Sequence, residues 1–114
     1  MKTDRHEVIF AIVNSGYAEE AMEAAREQGA RGGTVITGRG VVNEEASAFF
    51  GVPLHEEKEI LMLVVETAIR DKVLSALYHQ MGMAKKARGI VFSLPVSDVA
   101  GLAAPLDGEN RSNP

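Results

Sequence analysis

The chain has 114 residues, of which 46% are hydrophobic and 25% charged, with a formal net charge of −4 and no cysteine. That length suits one domain, the composition excludes disorder for the bulk of the chain, and the acidic balance argues against a nucleic-acid binder. Without cysteine there is no disulfide framework, no thiolate chemistry and no Cys-based zinc site, and His6, His55 and His79 form no HxxxH or HExxH pair.

In chain order, the polar N-terminus does not have the form of a signal peptide. It leads into Val8–Val13 (VIFAIV), a continuous apolar run that predicts a strand buried on both faces. Asn14-Ser15-Gly16 is a turn, with Asn14 or Ser15 as the expected helix cap. Tyr17–Gln28 predicts a helix, because Ala18, Ala21, Met22 and Ala25 make one apolar stripe. Glu19, Glu20 and Glu23 suit the positive end of its dipole, and Gly29 is the expected stop.

Arg31-Gly32-Gly33 leads to a short strand at Thr34–Thr37, ended by Gly38-Arg39-Gly40. From Val41 to Glu57 the pattern loses its period, and the segment holds Glu44, Glu45, Glu56 and Glu57 with no Lys or Arg. A loop of that length in a small domain is usually functional or mobile. Ile60–Val65 (ILMLVV) is a second all-apolar strand. Thr67 is the expected cap of a second helix, Ala68–Met81, with Ile69, Val73, Ala76 and Leu77 as its stripe and Gly82 as its stop. A basic loop follows, with Lys85, Lys86 and Arg88 before Gly89, and then a last strand at Ile90–Leu94. Val96–Leu102 reads as a turn or an extra strand. Residues 1–102 form the expected domain, and 103–114 read as a disordered tail. No apolar run approaches the ~20 residues that span a bilayer, so the expectation is a cytoplasmic protein with no membrane insertion.

The order β-α-β-β-α-β predicts an α+β, ferredoxin-like fold: an antiparallel sheet with both helices on one face. The two apolar runs then fall on the central strands. Helices cover one face only, yet both runs are apolar on the other as well. Self-association that buries this second face resolves the conflict.

No GxSxG, Walker A or GxGxxG motif is present, and no paired carboxylates have a fixed geometry, so no catalytic residue is expected. Two features suit an anion. Arg31-Gly32-Gly33-Thr34, followed by Gly38-Arg39-Gly40, permits close backbone approach and N–H donation. Lys85, Lys86, Arg88 and Gly89 add positive charge. In an oligomer the two can meet across a subunit boundary, which points to a phosphate-bearing small molecule.

Over roughly residues 7–100 the sequence resembles the PII signalling family. Ala11–Val35 follows the family's first strand, helix and second strand without a gap, with Gly29, the turn around Gly33, and Thr34 in matching places. Val64–Val96 likewise follows the third strand, second helix, loop and fourth strand. Residues 41–57 sit where the family has its partner-contacting T-loop, and 83–89 where it has its phosphate-binding B-loop. The resemblance implies a homotrimer that regulates an enzyme or membrane transporter and has no catalytic role. It places Gly33, Thr34, Arg39, Gly40, Val64, Lys85 and Gly89 around an effector, an adenine nucleotide (AMP, ADP or ATP), with Lys86 and Arg88 compensating for a phosphate-binding lysine that this chain lacks. Asn43, Glu44, Glu45, Phe49 and Phe50 fall in the partner-binding loop.

The sequence departs from the pattern at Met83 or Ala84, at Ala87, and at Ile90, which replaces a phosphate-binding lysine. No arginines follow the last strand, and the arm is shorter and lacks tyrosine. These departures leave a mono- or diphosphate, or another anion, as acceptable as a triphosphate. Two further readings share the topology. One is a small acylphosphatase-type hydrolase, using Arg39 or Arg88 with Asn43. The other is a CutA-like metal-binding trimer, using His55 with Glu56 and Glu57.

Overall fold

The computed structural model describes residues 2–41 and 55–102. The elements run β1 (His6–Asn14), α1 (Ala18–Glu27), β2 (Thr34–Val41), β3 (His55–Glu66), α2 (Thr67–Met81) and β4 (Ile90–Pro95). The sheet order is β2-β3-β1-β4, and every neighbouring pair is antiparallel. The expected ferredoxin-like architecture is therefore present, with both apolar runs on the central strands.

Strand alternation divides the apolar residues between two faces. On the helix side Ile9, Ala11, Val13, Leu61, Leu63 and Val65 are buried, and they meet Val73, Leu77 and Met81 of α2. Each fully buried Ile or Leu contributes roughly 1.5–3 kcal/mol relative to exposure. Helix α1 buries only alanines, Ala18, Ala21, Ala24 and Ala25, with Met22 packed part-buried beside them. Their small volume lets the helix sit close to the sheet. One charged pair crosses this layer, where Arg70 Nη1 of α2 donates to Glu7 Oε2 of β1 at 2.7 Å. Glu7, and secondarily Asp71, hold the Arg70 guanidinium above its ordinary pKa.

The opposite face carries Val8, Phe10 and Ile12 in register with Val64, Met62 and Ile60 on one side and with Leu94, Phe92 and Ile90 on the other. Phe10 and Phe92 stack with ring centroids 5.2 Å apart. Ile36, Val64, Ile90, Phe92 and Leu94 are all exposed, up to 54% at Ile90. The described residues leave this face uncovered.

Several expected boundaries shift. β2 does not stop at Thr37 but continues through Gly38, Arg39 and Gly40 to Val41, and β3 begins at His55 rather than Ile60. The ladder runs from Thr34↔Met62 to Val41↔His55. Val41 and residues 55–57 are therefore strand, not loop. Hydrogen bonding across the pair overrides the weak strand propensity of TGRGV and the charge of HEEKE. Of the expected arm, residues 42–54 lie outside the described residues, as does the expected tail from 103.

The capping expectations fail too. Neither Asn14 nor Ser15 caps α1; Tyr17 holds that position without a side-chain bond. Thr67 is the first residue of α2 rather than its cap, and its N–H bonds the carbonyl of Arg5. Gly29 does follow α1 with a positive φ, and Gly82 closes α2. Residues 96–102 form no named strand. They return along the N-terminus through Thr3 N–H to Ser97 O and a Lys2–Asp98 bridge.

Candidate functional site

A cleft of about 810 Å³ is lined by the chain start, the turn between α1 and β2, the end of β3 and the start of α2. Its glycine wall is Gly29, Gly32 and Gly33, with Thr34 beyond. Gly33 is required by close approach: a Cβ there would lie 2.9 Å from the carbonyl oxygen of Met62 and press on Leu63. Met62, Val64, Ile69 and Leu102 supply apolar lining. Arg5, His6 and Arg31 bring positive or titratable groups to the same cleft, and Glu66 one carboxylate. The His6 ring is held by Thr3, whose Oγ1 lies 2.7 Å from His6 Nδ1.

Of the residues expected from sequence, this cleft gathers Arg31, Gly32, Gly33, Thr34 and Val64. Arg5, His6, Met62, Glu66, Ile69 and Leu102 carry no such expectation. Arg31 had a local signal, being beside the glycines. Arg5, His6 and Leu102 had none, because only the folded chain brings strand starts and the 96–102 return together.

The basic loop lies elsewhere. It joins α2 to β4 and is tied down by the burial of Ala87, a bond from Gly89 N–H to Met81 O at 2.6 Å, and a Gly82–Gly89 bridge. A side chain at Gly89 would run into that Met81 carbonyl. Between these anchors Arg88 has φ +49°, the one non-glycine residue with positive φ among those described. Lys85, Lys86 and Arg88 are all exposed.

The third group is the base of the arm. Arg39 and Gly40 pair with Glu57 and Glu56 of β3, and Gly38 with Lys58. Lys58 Nζ donates to Asn14 Oδ1 at 2.7 Å, while Asn14 Nδ2 donates to the Lys86 carbonyl at 3.0 Å. The basic loop and the arm base thus share one end of the sheet. The cleft is toward the other end: Val64 is in register with Val8, six residues along β1 from Asn14, or ~20 Å of extended strand. Within a single chain these residues do not form one pocket. Asn43, Glu44, Glu45, Phe49 and Phe50 lie outside the described residues.

A second, shallower hollow of about 420 Å³, lined by Gln28, Asp71, Lys72, Ser75 and Ala76, contains none of the expected residues. Among the described residues no group of three or more His, Asp or Glu is placed to hold a metal ion. No described helix is long and apolar enough to cross a membrane.

The family model for the nitrogen regulatory protein P-II matches residues 6–103. The chain belongs to the P-II family. P-II proteins are signalling regulators, and this chain falls in that class. Solved structures repeat the P-II architecture at low identity. Arabidopsis thaliana PII bound to citrate has a TM-score of 0.62 and 23% identity, covering 88% of this chain and 82% of that one. The Bacillus subtilis GlnK–ATP complex has a TM-score of 0.66 and 13% identity, covering 85% and 86%. CutA from Synechococcus elongatus also reaches 0.66, at 12% identity and coverages of 85% and 81%. Among curated proteins, none matches the sequence significantly.

Proposed function

We propose that this P-II protein is a cytoplasmic homotrimer that binds a small anionic effector, an adenine nucleotide foremost, between subunits. Through the segment between β2 and β3, residues 42–54, it regulates an enzyme or a membrane transporter. The observation that carries this reading is the uncovered apolar face of the sheet, with Ile90 54% and Leu94 50% exposed. Monomers rarely leave such a surface in water. Packing it against sister copies buries it, and brings the cleft of one chain toward the basic loop of the next.

The chemistry of the two parts is complementary. The cleft offers apolar lining from Met62 and Val64 with close backbone at Gly33 and Thr34, which suits a flat base. Lys85, Lys86, Arg88 and Gly89 suit phosphate, and Arg39 and Gly40 stand where the arm leaves the sheet. The solved relatives named as complexes hold ATP and citrate, both polyanions. Ligand would shift the order of the arm and so its availability to a partner.

A hydrolase of acylphosphatase type has less support. It needs backbone donors at the end of β1, and there the N–H groups of Gly16 and Ala18 are already taken by Glu59. A CutA-like metal site would rest on His55 and Glu56, whose side chains lie outside those described.

Isothermal titration with AMP, ADP, ATP and cyclic dinucleotides tests the effector. We expect binding tighter than roughly millimolar, equivalent to ~4 kcal/mol; no binding at that level removes the effector. Light scattering tests the assembly, and a particle of one 12.2 kDa chain removes the inter-subunit cleft.

A further inference from the structure

We infer that Asn14 is a positioning residue that couples the basic loop to the base of the arm. The inference rests on the effector reading above, and deepens it by naming the route.

Asn14 ends β1 and is bonded in two directions. Toward the basic loop, its backbone N–H donates to Ala87 O at 2.8 Å and its side-chain Nδ2 to Lys86 O at 3.0 Å. Toward the arm, its Oδ1 accepts from Lys58 Nζ at 2.7 Å, and the next residue, Ser15, donates its N–H to Glu57 O at 3.2 Å. The amide orientation follows from the partners: a carbonyl only accepts and an ammonium only donates, so each end of the side chain has one assignment. Lys58 faces Gly38 across the β2–β3 ladder. It therefore sits where the ribbon carrying the arm joins the sheet.

The loop side of this connection carries two exposed cations beside a buried anchor. Ala87 is buried and fixed, whereas Lys86 before it and Arg88 after it are exposed cations, and Arg88 is held in the left-handed region. An anion drawing Lys86 and Arg88 together reorients the Lys86 peptide, whose carbonyl holds Asn14. Releasing or tightening that bond changes how firmly Asn14 holds Lys58, and so the stability of the ribbon. Coupling of this kind is a difference in bonding between two states, carried by one side chain.

Hydrogen exchange at the ribbon amides, residues 37–41 and 55–59, tests the route with and without ligand. Without ligand, Ala87→Gly loosens the loop and should speed ribbon exchange roughly fivefold or more in the wild-type background. In an Asn14→Ala background the same substitution should leave ribbon exchange unchanged. Asn14→Asp keeps the acceptor for Lys58 but loses the donor to Lys86. It should retain near-wild-type ribbon protection and still abolish the response to Ala87→Gly, a separation that a merely structural role does not give. Equal responses in all three backgrounds overturn the inference. The ligand arm uses ATP and inorganic phosphate as probes. If neither binds the wild type, the effector reading fails while the ligand-free cycle still decides the coupling. If ATP binds and alters ribbon exchange equally in wild type and Asn14→Asp, the coupling fails while the effector reading stands.

Discussion

Glu59 Oε1 lies 3.0 Å from the backbone nitrogen of Gly16, and it also accepts the N–H of Ala18 at 3.0 Å. A carboxylate on β3 thus caps α1 across 41 residues of sequence, where no local side chain does so. It supplies both an acceptor and a negative charge at the positive end of the helix. Glu59→Ala should destabilise the fold by about 1 kcal/mol, read as a lower urea midpoint. Glu59→Gln, which keeps an acceptor, should lose less.

Assembly is expected to depend on the stacked Phe10 and Phe92 at the centre of the open face. Neither side chain is among the buried core residues of the chain. Phe92→Asp should therefore leave the helix-side core folded by circular dichroism but yield a single-chain particle in light scattering. A wild type that is itself one chain would refute the underlying assembly.

Binding in the cleft should respond to Arg5 and Arg31. Each stands to make a charge-assisted hydrogen bond worth roughly 1.5–3 kcal/mol. Replacing either by Ala should weaken effector binding about tenfold or more by titration calorimetry, with little change in melting temperature because both side chains are exposed. An unchanged affinity for both variants would take Arg5 and Arg31 out of the effector site.

Arg88 separates stability from binding. Its φ of +49° is a conformation that glycine adopts at no steric cost. Arg88→Gly should raise stability by about 1 kcal/mol while lowering effector affinity. Arg88→Ala should lose the same affinity without the gain in stability, and thermal melts alongside titration distinguish the two.

Limited trypsinolysis reads the state of the arm. From sequence, Arg39 and Lys58 bracket a loop. In the fold both lie within the β2–β3 ladder, so cleavage at either requires the ribbon to open. An effector that stabilises the ribbon should slow cutting at both sites together. Faster cutting on ligand addition would show that binding opens the ribbon instead.

The element order, the two central strands and the apolar character of the second face are legible residue by residue. Those properties are set by local periodicity: VIFAIV and ILMLVV have no polar residue to offer either side of a sheet, whatever packs nearby. The glycine turn and the basic loop are marked as well, because glycine and like-charge clusters are visible one residue at a time.

The length of the arm's ribbon, the capping of α1 by Glu59, the meeting of Arg5, Arg31 and Leu102 in one cleft, and the Lys86–Asn14–Lys58 connection come from the folded chain. Each joins residues far apart along the chain. Their hydrogen bonds are worth forming only once the sheet register has brought the partners together. No window of sequence holds both ends of such a bond, so its existence is settled by the fold.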